Sequence, residues 1–152
     1  MSPTATLAQD LIGQWLLKSR IDLDASGQRH IDPFLGPDPA GFLVFGPQWF
    51  AAQFMKADRT SATVPATPTA PAGAGNNTSA VGGYDAYFGT YTVDTEASDI
   101  RTTLLGALTP GNVGQTFTRR VAIAGTTLKI ILATSSASGV PITRTLTFER
   151  VQ

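Results

Sequence analysis

Arg144 shares its strand parity with Ile142, Leu146 and Phe148, and Arg119 lies in the same way between Phe117 and Val121. Side chains two apart on an extended strand point to one face, so both guanidinium groups are expected on apolar faces. An unpaired charge there costs on the order of several kcal/mol. Two readings are open. Either each arginine pairs internally with Asp22, Asp38, Asp85 or Glu149, or turns outward after a bulge. Or one of them awaits a carboxylate, phenolate or carbonyl on a bound molecule. Tyr87 and Tyr91 also share a parity, with Gly89 between them, which predicts a hollow flanked by two phenols and suited to an aromatic guest. Trp49 and Phe117 are expected to extend that wall.

Other chemistries find less support. His30 is the only histidine, so a His-rich metal site cannot be built, and no metal is expected. It reads either as a surface or capping group beside a Pro-rich loop, or as a general base helped by Asp32. The acidic residues mostly flank turns. No Gly-x-Ser-x-Gly is present, and Gly73-Ala74-Gly75 precedes no helix, so nucleophilic hydrolysis and nucleotide binding are poorly supported. If chemistry is done on a guest, Tyr87, Tyr91, Arg144 and His30 are the candidates, and no cofactor is called for. A formal net charge of zero argues against nucleic acid and anionic membranes as partners. With no cysteine, no signal-like N-terminus and no run of about eighteen apolar residues, the expectation is a soluble cytoplasmic protein. Oligomeric state is left open.

These residues need strands to position them. Ser2 as N-cap, Pro3 in the first turn and Leu7 four before Leu11 predict a short helix that Gly13 ends. Trp15, Leu17, Ser19, Ile21 and Leu23 then alternate with Leu16, Lys18, Arg20 and Asp22, predicting one buried and one wetter face. Asp24-Ala25-Ser26-Gly27 is turn chemistry, and residues 28–31 make a short returning strand. Pro33, Pro37 and Pro39 remove backbone donors, so residues 32–41 are expected to form a stiff loop across a barrel end. Residues 42–45 and 49–55 read as hairpin arms with both faces apolar, so the outer face would need a helix or loop upon it. Residues 60–81, rich in Ala, Thr, Pro and Gly, read as a mobile low-complexity loop within one domain spanning 1–152. Tight turns join the strands that follow, which predicts an antiparallel meander of about eight to ten strands closed into an up-and-down barrel.

Gly13-Gln14-Trp15, at the head of the first strand within residues 11–19, resembles the opening of the small lipocalin-like domain family of bacteria and fungi, a calycin-type branch of β-barrels. Residues 37–45 with Ala52-Gln53 resemble its second block, residues 87–94 its third and residues 143–150 its ending. The blocks fall in order over nearly the whole chain. Two features depart from the family pattern: a helix-forming insert is replaced by the loop at 60–81, and Arg101, Thr102 and Thr103 stand where a histidine is often found. The resemblance implies an all-β lipocalin-like barrel with a short N-terminal helix and an apolar cavity. It also implies that Arg150 stacks on Trp15 as a structural seal. The expected function is binding of a small, largely apolar molecule by one polar end, with Arg119, Arg144, Tyr87, Tyr91, Trp49 and Phe117 around it. The alternative is a cofactor-independent isomerase, cyclase or lyase using the same cavity.

Overall fold

The computed structural model describes residues 6–59 and 82–152; the Ser2 and Pro3 cap and the loop at 60–81 lie outside the described residues. A single turn and a half of helix, α1 (Thr6–Leu11), precedes β1 (Gly13–Leu23) and a two-residue β2 (Arg29–His30). The hairpin β3 (Ala40–Phe45) and β4 (Trp49–Met55) comes next, then β5 (Tyr84–Asp94) and β6 (Asp99–Ala107). A 3-10 turn (Pro110–Asn112) leads into β7 (Thr116–Ala124), β8 (Thr127–Ser135) and β9 (Pro141–Arg150). All pairings are antiparallel. The order is β2-β1-β3-β4-β5-β6-β7-β8-β9, and β1 also pairs with β9. Eight strands thus close into a barrel with β2 added beside β1. Closure leaves the eight no free edge.

One strand departs from simple alternation. The β1–β9 register runs Leu17↔Phe148 and then Ser19↔Thr147, so a bulge stands at Lys18. An extra residue in one strand flips the parity beyond it. Trp15 is buried before the bulge; Arg20 and Asp22 are buried after it, while Ile21 and Leu23 face out. The face expected to be wetter therefore supplies two charged side chains to the interior.

At one end of the barrel, Trp15 and Arg150 pack together. The Trp15 indole is fully buried and its Nε1 donates to the Leu11 carbonyl at 2.9 Å. The Arg150 guanidinium lies 4.2 Å from the indole centroid, with Nη1 donating to the Ile12 carbonyl at 3.0 Å and Nη2 to the Asp10 carbonyl. Gly13, at φ 142°, has no room for a side chain: a Cβ would meet Arg150 Nη1 at 2.6 Å. Both its conformation and that contact require glycine.

The Pro-rich segment covers the opposite end. Asp32 Oδ1 accepts from the Phe34 amide at 2.9 Å, Gly36 donates to the Asp32 carbonyl at 2.7 Å, and Leu35 is wholly buried. The outer face of the β3–β4 hairpin is apolar, as its two-sided pattern predicts. Leu16, Phe42, Met55 and Tyr84 line a groove there, and Trp49 and Phe88 are exposed nearby.

Candidate functional site

The barrel interior holds a narrow cavity with only about 30 Å³ open to a water-sized sphere. Leu43 and Phe45 of β3 and Phe50 and Phe54 of β4 face Ile130 and Leu132 of β8 and Leu146 and Phe148 of β9. Tyr87, Ile100, Thr102 and Arg119 complete the lining from β5, β6 and β7. These positions follow from the parity of each strand, which turns the apolar set inward. The Tyr87 ring packs at 6.1 Å from Phe50 and 6.2 Å from Phe54, and Tyr91 packs edge-on to Phe45 at 4.9 Å.

Arg119 is the charged member of this lining. Only 9% of it is exposed, and its guanidinium lies 4.8 Å from the Phe117 ring centroid. Nη1 donates to the Thr118 carbonyl at 3.2 Å, but Nη2, also buried, has no hydrogen-bond partner among the described residues. No carboxylate lies within ion-pair reach of it among them either. Burial pulls the guanidinium down to about 10, Tyr87 opposes that shift and the charge of Arg144 adds to it. It stays protonated at neutral pH. Burial first, and then Asp85, push the Tyr87 phenol well above its ordinary value, so it remains a neutral hydroxyl.

Arg144 has the other fate open to a buried arginine. Its side chain is 0% exposed and bidentate to Asp22, with Nε to Oδ1 at 2.9 Å and Nη2 to Oδ2 at 3.1 Å. Arg20 lies 3.1 Å from Asp32 and 3.8 Å from Asp22, so two arginines and two aspartates form one buried cluster beneath the Pro-rich loop. Burial lowers the Arg20 pKa, and the charge of Arg144 lowers it further, while Asp32 and Asp22 raise it. Four charges held this way neutralise one another and tie β1, β9 and the loop together.

Comparison with protein families decides what barrel this is. The profile of the lipocalin-like domain matches residues 12–151. The chain belongs to the lipocalin-like domain family. No curated protein matches it. The lipocalin-like fold is thereby shown from two sides, sequence profile and closed barrel, but a fold of this kind hosts many functions and the site must be argued from its own residues.

Within this lipocalin-like barrel the expected site residues separate. Arg119 and Tyr87 line the cavity together. Arg144 is close by but engaged with Asp22. The hydroxyl of Tyr91 donates to the Gly46 carbonyl at 2.5 Å, closing the β3–β4 turn rather than facing a guest. The hollow expected at Gly89 is taken up by β6: a bulge at Phe88 and Gly89 brings the Thr103 carbonyl where a Cβ would stand. Trp49, expected against the guest, is 53% exposed on the outer face because Phe50, Ala52 and Phe54 take the inward parity. Phe117 is half-buried and supports Arg119 instead of lining the cavity. His30 Nε2 lies 2.8 Å from Asp24 Oδ2, not beside Asp32, and is outside the cavity. Asp32 is engaged with Arg20. Among the described residues no group of three potential ligands could hold a metal ion, and no helix is long and apolar enough to cross a membrane. Sequence reasoning missed Thr102, Arg20 and the structural use of Asp32. Only the Asp32-Pro33-Phe34 turn signal pointed to the last of these.

Proposed function

We propose that this lipocalin-like barrel holds a small, largely apolar molecule in its cavity, with the polar end of the guest on Arg119. The observation that carries the reading is the buried Arg119 Nη2, which has no hydrogen-bond partner among the described residues in a mostly apolar lining. A donor left this way costs roughly 1–3 kcal/mol, more for a charged group, so a guest that accepts from it recovers that loss. At about 30 Å³ the open space falls well short of the roughly 300–1,000 Å³ typical of ligand sites, so the cavity must widen to take a guest. A guest must be thin, or must turn the rings of Phe50 and Tyr87.

The enzyme reading draws on the same pair, since a guanidinium and a neutral phenol in one lining are groups that can stabilise a developing oxyanion. It lacks a base. No carboxylate or histidine lines the cavity among the described residues. Binding is therefore the function favoured, and a cytoplasmic location accords with a chain that has no cysteine to oxidise.

The test is methyl NMR with a panel of slender acids, ketones and phenols. Binding in the cavity shifts the methyls of Ile130, Leu132 and Leu146 and leaves those of Leu16 and Leu105, which face out, unmoved. A panel that moves none of the inward methyls overturns the reading. A guest recovered chemically altered would promote the isomerase, cyclase or lyase alternative.

A further inference from the structure

We infer that the polar end of the guest is a monoanion of the carboxylate type, bound in its ionised form. This rests on the binding reading above and goes further, to the charge and hydrogen-bonding character of the guest.

The polar groups of the lining are Arg119, Tyr87 and Thr102. A guanidinium has five N–H donors and no acceptor. The Thr102 hydroxyl donates to the Phe117 carbonyl at 3.4 Å. Tyr87 is a neutral phenol that can donate or accept, under the charge of Asp85 and, less strongly, of Arg119. The Thr102 and Tyr87 oxygens can accept, but the group left unsatisfied among the described residues is the charged Arg119 donor. An ammonium head group would be repelled by that cation. An acceptor-only head group suits it, and carboxylates and ketones both qualify.

Charge separates those two. Arg144 and Arg20 have Asp22 and Asp32 within 2.9 Å and 3.1 Å. Arg119 has no such partner among the described residues, so the cavity wall presents one cation with no carboxylate paired to it. In an apolar surrounding that cation attracts an anion far more strongly than it would in water. A ketone satisfies the Nη2 hydrogen without cancelling the charge. A carboxylate does both. One cation also matches one negative charge, so a dianion such as a phosphate monoester would carry an uncompensated charge into the slit.

The experiment is calorimetric titration of the whole protein at pH 7 with three probes of one shape: 2-naphthoate, 2-acetylnaphthalene and 2-naphthylmethylamine. Methyl NMR reports where each sits. Naphthoate is expected to bind in the cavity about tenfold or more tightly than the ketone, the margin between charged and neutral hydrogen bonds. The amine is expected to be weakest. Arg119→Met should abolish the preference for naphthoate over ketone, and Arg119→Lys should keep part of it. The wild-type comparison stands even where a variant fails to fold. If ketone and naphthoate bind the cavity equally well, the inference falls and the binding reading survives. If no probe moves the inward methyls, or naphthoate shifts only Leu16 and Leu105, both fall.

Discussion

Two buried arginines on the same kind of apolar strand face have opposite surroundings, and that difference carries the account. Arg144 is locked by two hydrogen bonds to one carboxylate, while Arg119 lies on an aromatic ring with one nitrogen unpartnered among the described residues. Both placements were legible from strand parity. Which arginine would be paired was not, because the partner depends on a bulge. A further residue-scale consequence concerns Asp24. The Ser26 hydroxyl, then the His30 ring, then the Gln28 amide hold its carboxyl well below the usual carboxylate range. Its folded-state pKa thus lies below the unfolded value of about 3.9. The contribution of this turn is fully present above that pH and is lost as pH falls toward the folded value. Carboxyl-carbon NMR titration should find Asp24 still ionised at pH 3, and Asp24→Asn should flatten the acid limb of the stability profile. An Asp24 that titrates near 4 would contradict the geometry.

At the scale of elements, the strands and their order could be read from alternation and turns, and the glycine and tryptophan that open β1 announced the seal. The irregularities were hidden. Nothing in Leu17-Lys18-Ser19 marks a bulge, since any residue there can be accommodated, yet it decides that Arg20 and Asp22 face inward. In β4 both parities are apolar, so sequence could not say whether Trp49 or Phe50 looks inside. The register resolves it: Phe50 pairs with Gly89 and lines the cavity, and Trp49 stands outside. The two tryptophans should accordingly behave as opposites. Iodide should quench Trp49 and leave Trp15 almost untouched, and Trp49→Phe should remove the red-shifted, quenchable part of the emission. Equal quenching of both would show that the seal over Trp15 is open.

For the whole molecule, closure of β1 on β9 creates an interior with a sealed end, a loop-covered end with its own neutral ionic cluster, and a narrow apolar slit between them. Natural proteins keep groups that reduce stability where function needs them. Arg119 fits that description and Arg144 does not. Urea unfolding of Arg119→Met and Arg144→Met, in the absence of any guest, therefore tests the central claim. Removing Arg144 strands the Asp22 carboxylate and should lower stability by about 3–5 kcal/mol. Replacing Arg119 by an apolar chain of similar length removes an unpaired buried charge, so that variant should be as stable as wild type or more stable by up to about 2 kcal/mol. If Arg119→Met loses as much stability as Arg144→Met, Arg119 belongs to the fold, and the cavity is a filled core rather than a place kept for a guest.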